Sequence, residues 1–353
     1  MAKSPRIRAR YVVLVALVVL GLVFRQQIAM NVKVGSLLAQ EFPQVPVKPL
    51  DLFTNAPEHR VLMLASPNGP IVADLFLPRP HFGTIGLHSM PAIVFCVGVQ
   101  LTPTAKTQLR TLGANFARIG YVVMWPRLRP LDRGREQPEE PETFVRAFAY
   151  LQELQPVDPH RISFLGFSVG ASMAIVAAST QPIAGKVRSL VSFGGYYDIF
   201  DYLASLATRR ERYRGREIPW APRADAVKEA HAILRTEHAT PLLAIFKAGS
   251  WTRARSILAE ADPEASRALE RFSPSYHLAG FRTRIYILHD HNDHYVPYVE
   301  SEKLYSALDG RVPRSILLTD LVQHTVPNGG NFLGQLGKFW ELYVFAYGAL
   351  NSF

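Results

Sequence analysis

Short apolar runs alternate with helical patterns along most of this chain, and this alternation limits its fold more than any other feature. The run PAIVFCV at 91–97 is continuously apolar, as is typical of a strand buried on both faces of a parallel sheet. A predicted amphipathic helix near 105–118 and the run GYVVMWP at 120–126 follow it. This order of strand, helix and strand predicts an α/β fold with a doubly wound, mostly parallel sheet.

Similar elements come before and after this unit. Two β-rich runs at 60–66 and 70–78 are joined by Pro-Asn-Gly, which predicts a hairpin. Further strands are predicted at 161–168, 187–195, 284–289 and 314–320, and further helices at 143–154, 169–180, 298–308 and 331–349. Residues 196–280 have helical patterns, one of them opened by Asp262 and Pro263, but no convincing buried strand. We therefore predict a helical cap inserted over the edge of the sheet.

The N-terminal part combines basic residues with an apolar segment. Of the net charge of +10, six positive charges and no acid fall in the first 35 residues, at Lys3, Arg6, Arg8, Arg10, Arg25 and Lys33. The apolar run 11–24 is short for a full membrane span of about 20 residues, but it fits the apolar core of a signal peptide. No convincing cleavage site follows, so we expect an uncleaved signal anchor over 1–35, with a cleaved signal peptide as the alternative.

The same charges predict an orientation and a domain boundary. Four basic residues precede the apolar run and two follow it, which favours an N-terminus inside and a main domain outside the cytoplasmic membrane. Residues 36–58 hold four prolines and are expected to form a linker, so that the main domain would occupy 59–353.

Composition excludes some classes of function. Cys96 is the only cysteine, so an intrachain disulfide and a cysteine-based zinc site are both excluded.

The segment 209–220 has five arginines, which we interpret as a solvated face, with contact to anionic lipid as the second interpretation. No module that reads nucleic acid accompanies them, so no nucleic-acid partner is expected.

The stretch Gly166-Phe167-Ser168-Val169-Gly170 lies between an apolar strand and a helix of small residues. A nucleophile elbow requires this setting of strand, turn and helix, because its turn is strained and leaves no room for Cβ atoms beside the serine. We therefore predict that Ser168 is a nucleophile; a glycine-rich structural turn is the alternative. A serine hydroxyl is a weak nucleophile at neutral pH and needs a histidine base that is held by a carboxylate.

A second motif carries a resemblance to a known family. The segment 289–297, HDHNDHYVP, resembles the H-G-x-x-D-x-x-V-P turn of the α/β-hydrolase superfamily, most closely its dienelactone-hydrolase and prolyl-oligopeptidase-like branches. Asp290 stands where the family usually has glycine. The resemblance extends over about 58–350 and implies an α/β-hydrolase fold with Asp293 as the triad acid and Asp290 as the alternative.

The resemblance also implies the remaining parts of the site. His324 lies 31 residues after Asp293 and follows the next predicted strand, which is the place of the base; a surface loop residue is the alternative. The oxyanion hole would use the backbone N–H groups of Val169 and Val99. Relatives often have His-Gly before the second donor, whereas this chain has Val97 and Gly98.

The letters His289-x-His291-x-Asp293-His294 also fit the zinc site of metallo-β-lactamases. Such a site needs further histidine and aspartate ligands, and the 59 residues that follow contain a single histidine, His324. We therefore expect no metal and no other cofactor, and interpret His289, His291 and His294 as turn and rim residues, one of which could support Asp293.

These features together predict a membrane-anchored serine hydrolase that cleaves a small-molecule carboxylic ester or a related acyl bond. The nearest alternative is a serine peptidase of the prolyl-oligopeptidase-like kind. An alternative from another class is a catalytically silent scaffold that binds a ligand or partner through its cap. The sequence does not predict an oligomeric state.

Overall fold

The structure is a computed structural model that describes residues 23–67, 69–79, 89–98, 102–128, 140–235, 240–327 and 333–353. Its strands are β1 (Glu58–Leu64), β2 (Ile71–Leu77), β3 (Met90–Val97), β4 (Val122–Pro126), β5 (Val157–Phe167), β6 (Ser189–Phe193), β7 (Arg210–Tyr213), β8 (Arg216–Pro219), β9 (Arg284–Asp290), β10 (Arg314–Thr319), β11 (Val322–Gln323) and β12 (Val326–Pro327). Eight of them form one sheet in the order β1-β2-β4-β3-β5-β6-β9-β10. Among these eight strands, β2 alone runs in the opposite direction, so the predicted mostly parallel sheet is confirmed.

Helices cover both faces of this sheet. They are α1 (Arg25–Glu41), α2 (Pro49–Phe53), α3 (Pro103–Arg118), α4 (Glu140–Glu153), α5 (Val169–Ser179), α6 (Ile199–Thr208), α7 (Ala224–Ile233), α8 (Trp251–Ala259), α9 (Pro263–Glu270), α10 (Val299–Ala307) and α11 (Leu336–Ser352). Phe95 of β3 packs with α1, α3 and α11, whereas its neighbours Val94 and Cys96 pack with α4, α5 and α10. Both faces of β3 are thus buried, which accounts for its continuously apolar sequence.

The structure differs from the expected linker at 36–58. Residues 36–41 complete α1, and residues 49–53 form α2. Val34, Leu37 and Leu50 are buried in the same cluster as α3 and α11. The Lys48 ammonium donates to the carbonyl groups of three residues at the end of α1, the last of them Phe42 at 2.8 Å. Apolar packing and this C-terminal cap therefore stabilise helices in a segment whose prolines predicted an extended chain.

The predicted signal anchor falls mostly on residues 1–22, which lie outside the described residues. Within the ranges that the structure describes, no helix has the length and apolar character needed to cross a membrane.

The segment 196–280, for which the sequence predicts a helical cap, has its own apolar core and is not wholly helical. An antiparallel hairpin of β7 and β8 lies between α6 and α7, the first two of its four helices. The cap is fixed to α10 by Glu300, which is fully buried. Its carboxylate accepts from the N–H groups of Tyr197 and Asp198 and pairs with Lys303, which also pairs with Asp201 of α6.

Candidate active site

Ser168 occupies a strained turn between β5 and α5. Its φ of 54° and ψ of −136° lie outside the regions that L-residues normally adopt. Two backbone hydrogen bonds hold this conformation, from the Ser168 N–H to the Phe193 carbonyl and from the Ala171 N–H to the Ser168 carbonyl, both at 2.8 Å. The hydroxyl group is therefore presented at the carboxyl end of the parallel strands, as in a nucleophile elbow.

The two glycines that flank the serine are needed because of close backbone contacts. A Cβ atom at Gly166 would lie 2.4 Å from Cα of Ala171. One at Gly170 would lie 2.5 Å from the carbonyl oxygen of Cys96 and 2.7 Å from the backbone nitrogen of Gly98. The helix thus starts against both its own strand and the end of β3, which leaves no space for side chains.

The structure brings Asp293 and His324 into direct contact. Oδ2 of Asp293 lies 2.6 Å from Nδ1 of His324, and its Oδ1 accepts from the N–H groups of Tyr295 and Val296 at 2.6 and 3.1 Å. The ring of Tyr295 stacks on that of His324, with centroids 4.5 Å apart. A hydrogen bond at Nδ1 orients the imidazole ring and leaves Nε2 to act as the base.

The Asp293 carboxylate is stabilised in its charged form. Its side chain is fully buried, and burial raises its pKa. Hydrogen bonds from His289 and His324 outweigh burial and hold the pKa of Asp293 well below its usual range. The group therefore carries a full negative charge at neutral pH.

The serine and the histidine lie close to each other across the end of β6. Ser168 bonds to the carbonyl of Phe193. A Cβ atom at the next residue, Gly194, would lie 3.5 Å from both Nδ1 of His324 and Oδ2 of Asp293. The adjacent residues Phe193 and Gly194 thus lie beside Ser168 and beside the pair of Asp293 and His324, respectively.

Asp290, the alternative acid, has a different role. Its Oδ2 accepts from the backbone N–H of His324 at 3.1 Å, and its Oδ1 accepts from the N–H of Asn292 at 2.9 Å. His324 has a positive φ of 56°, so its backbone needs an external restraint. Asp290 thus contacts the backbone of His324, whereas Asp293 contacts its ring.

The histidines of the zinc-like pattern do not face a common centre. His289 is buried and bonds to Ser301 and Val296, whereas Nδ1 of His294 lies 2.7 Å from the carbonyl of Ala221 in the cap. The ring of His291 packs edge-on against Tyr298. The part of the chain that the structure describes has no group of three or more His, Cys, Asp or Glu side chains placed to hold a metal ion.

His289 is a second histidine that contacts the Asp293 carboxylate. Its Nε2 lies 3.0 Å from the carbonyl oxygen of Val296 and 3.3 Å from Oδ2 of Asp293, and its Nδ1 lies 2.6 Å from Oγ of Ser301. These contacts fit a tautomer that accepts from Ser301 at Nδ1 and donates from Nε2. A sequence pattern can suggest that a nearby histidine supports the acid, but only the packing of α10 on β9 selects His289.

Replacing His289 with glutamine is expected to lower kcat about 10-fold with little change in KM, because a hydrogen bond to a charged group contributes about 1.5–3 kcal/mol. The acidic limb of the pH profile of kcat/KM is expected to move to higher pH, since a carboxylate with fewer donors binds an imidazolium proton more strongly. His277→Gln is the matched control, because Nε2 of His277 contacts the Glu270 carbonyl and not the triad. An unmoved pH profile would contradict a positioning role.

One of the two predicted oxyanion donors lies among the described residues. Val169 begins α5 directly after Ser168. Gly98 lies against the elbow, since its Cβ atom would be 3.5 Å from Cβ of Val169. The second predicted donor, Val99, lies outside the described residues. The end of β3 and the start of α5 are thus adjacent, as a two-donor site requires.

Several solved structures resemble this one. A puromycin-hydrolysing peptidase of Mycobacterium tuberculosis matches with a TM-score of 0.54 and 20% identity, over 83% of this chain and 40% of that chain. A dipeptidyl peptidase 4 of Porphyromonas gingivalis matches with a TM-score of 0.50 and 11% identity, over 82% of this chain and 36% of that chain. A 2,6-dihydroxy-pseudo-oxynicotine hydrolase matches with a TM-score of 0.51 and 17% identity, over 82% of this chain and 68% of that chain.

Comparisons with protein-family models and with curated protein sequences gave no match. At these identities the structural matches establish the fold and leave the activity open. They confirm the fold that the sequence resemblance implies: this chain has the α/β-hydrolase fold.

Proposed function

We propose that this protein is a serine hydrolase in which Ser168 is the nucleophile, His324 the general base and acid, and Asp293 the group that orients His324. The observation that carries the proposal is the 2.6 Å contact between Nδ1 of His324 and the buried Asp293 carboxylate, beside a serine held at φ 54°. A structural turn has no need for a strained serine next to an oriented imidazole ring.

The chemistry would be acyl transfer in two steps. Oγ of Ser168 attacks the substrate carbonyl carbon, and its proton passes to Nε2 of His324. The histidine then protonates the leaving group as the bond to the acyl carbon breaks, which leaves an acyl-serine. Water then attacks the acyl carbon and gives one proton to His324. His324 passes this proton to Oγ of Ser168 as the bond between Oγ and the acyl carbon breaks, which releases the acid and restores the serine. The N–H groups of Val169 and Val99 would stabilise the oxyanion of each tetrahedral intermediate.

The comparisons favour a peptide or amide bond over the carboxylic ester that we expect from the sequence. Two of the three structures described above are named as peptidases. The chain corresponds to 36% and 40% of their lengths, and its cap at 196–280 lies beside the triad: the indole N–H of Trp220 donates to the Asp293 carbonyl at 2.8 Å. We therefore propose a serine peptidase or amidase whose cap limits the size of the substrate, with ester hydrolysis as the second candidate.

Covalent labelling with a fluorophosphonate probe tests the mechanism. We expect the native chain to be labelled at one site, and Ser168→Ala and His324→Ala to lose at least about 99% of the labelling rate. Ser179→Ala is the matched control, because its hydroxyl group lies at the other end of α5 and bonds to the Ile175 carbonyl. Absence of labelling in the folded native chain would favour the catalytically silent scaffold.

A second assay separates the two substrate classes. Dipeptidyl and aminoacyl p-nitroanilides report on amide cleavage, and p-nitrophenyl esters of matched acyl groups report on ester cleavage. We expect both substrates to be hydrolysed, because an enzyme that cleaves an amide also cleaves the more reactive ester of the same acyl group. We expect the rate to depend strongly on the acyl group for the amides alone. Hydrolysis of esters with no cleavage of any amide would return the assignment to an esterase.

A further inference from the structure

Helices α1 and α11 together expose an apolar surface that the proposed chemistry does not use. The exposed apolar side chains include Phe24, directly before α1, with Ile28 and Val32 on α1, and Leu336, Trp340 and Val344 on α11. Within each set the residues are four positions apart, so each set forms one stripe along its helix. The most exposed of them, Trp340, has 65% of its surface accessible to solvent.

The two helices that carry these stripes pack against each other. The rings of Phe42, directly after α1, and Phe339 pack with centroids 4.9 Å apart, and Tyr343 donates a hydrogen bond to Asn31. From Asn31 to Phe42 the number of the contacted residue on α11 falls from 343 to 339, so the helices are antiparallel. Each stripe lies on the opposite side of its helix from the buried residues of that helix, so both stripes face away from the sheet.

Charged residues are few on these two helices. Between Arg25 and Glu41, α1 has one charged residue, Lys33, whose ammonium lies 5.2 Å from the ring centroid of the buried Tyr121. The charged residues of α11 are Lys338, which pairs with Asp320 at 2.5 Å, and Glu341. Exposed helical surfaces of soluble proteins are normally polar, and contiguous apolar patches mark sites of interaction.

The sequence before α1 indicates what this surface contacts. The apolar run 11–24 ends at Phe24, the first member of the α1 stripe, and basic residues stand on both sides of the run. Trp340 and Tyr343 stack with ring centroids 5.5 Å apart on the same surface, and these two residue types are enriched where protein meets the boundary between lipid head groups and acyl chains. A lipid bilayer fits this combination of features.

We propose that the outward surface of α1 and α11 is a membrane-docking face that lies in the interfacial layer of a bilayer, with Phe24, Ile28, Val32, Leu336, Trp340 and Val344 inserted among the lipids. Helices of this kind lie in the plane of the membrane and do not cross it. This face would orient the domain so that the carboxyl ends of the parallel strands, where Ser168 lies, are directed along the bilayer surface.

Site-specific fluorescence in vesicles tests the proposal. The only natural cysteine, Cys96, is fully buried, so a thiol-reactive nitrobenzoxadiazole dye can be attached selectively at Val32→Cys or Val344→Cys. Ala149→Cys is the matched control, because Ala149 is an exposed position on α4, on the opposite face of the sheet. The full chain would be reconstituted with vesicles of phosphatidylcholine and phosphatidylglycerol that contain brominated acyl chains.

We expect the dyes at positions 32 and 344 to lose about half of their emission to the brominated lipid, and the dye at position 149 to lose none. Equal quenching at all three positions, or no quenching at any, would contradict an oriented docking face. Blue-shifted but unquenched emission at positions 32 and 344 would also overturn the proposal, since it would show that a second copy of the chain covers this surface.

Discussion

Replacing Asp293 with asparagine is expected to lower kcat/KM about 10⁴-fold while the protein stays folded. The amide is nearly isosteric with the carboxylate, so the N–H groups of Tyr295 and Val296 keep an acceptor. The negative charge beside Nδ1 of His324 is lost, and an amide NH₂ group directed at Nδ1 would favour the tautomer in which Nε2 carries the proton. That tautomer cannot accept the proton of Ser168. Steady-state kinetics with the best substrate would measure the decrease in kcat/KM.

Asp290→Asn is the matched control for this change. Asp290 contacts the backbone of His324 and not its ring, and an asparagine oxygen can still accept from that N–H. We expect less than about a 10-fold loss, because a hydrogen bond is weakened and not removed. The reverse ranking, with Asp290→Asn the more damaging variant, would make Asp290 the triad acid and would contradict the assignment of Asp293.

The parts of this structure that the sequence predicts are those determined by short-range patterns. The continuous apolar runs locate the strands of the sheet because a strand buried on both faces has no polar positions. The elbow at Ser168 and the turn at Asp293 are recognisable because each depends on residues within a few positions of each other. His324 could be placed in a loop after β10 by chain order alone, and the structure places its ring beside Asp293.

The features that the sequence did not predict depend on contacts between distant segments. The supporting role of His289 needs Ser301 of α10, and the choice between Asp290 and Asp293 needs the backbone of His324. The cap hairpin of β7 and β8 has the charged sequences RERY and REIP, which carry no strand alternation. Helix α1 is stabilised by burial against α3 and α11. The prolines that follow α1 predict a linker because the sequence alone does not show this packing.

Replacing Gly170 with alanine is expected to destabilise the protein by about 3 kcal/mol and to reduce activity in the fraction that folds. The new Cβ atom would lie 2.5 Å from the carbonyl oxygen of Cys96 and 2.6 Å from the carbonyl carbon of Val97. Both neighbours are backbone atoms of a central strand, so no side chain can move aside to make room. Either α5 moves away from β3 and takes Ser168 with it, or the end of β3 moves and displaces the loop that is predicted to hold the second oxyanion donor.

Gly35→Ala is the matched control, because Gly35 is also helical but a Cβ atom there would meet no atom within 4 Å. It is expected to stabilise the protein by up to about 1 kcal/mol through helix propensity alone. Thermal and urea unfolding would measure whether each substitution lowers or raises the free energy of unfolding. If Gly170→Ala unfolded like the native chain and kept its rate of fluorophosphonate labelling, α5 would not need its close contact with β3, and the proposed oxyanion hole at their junction would lose its structural basis.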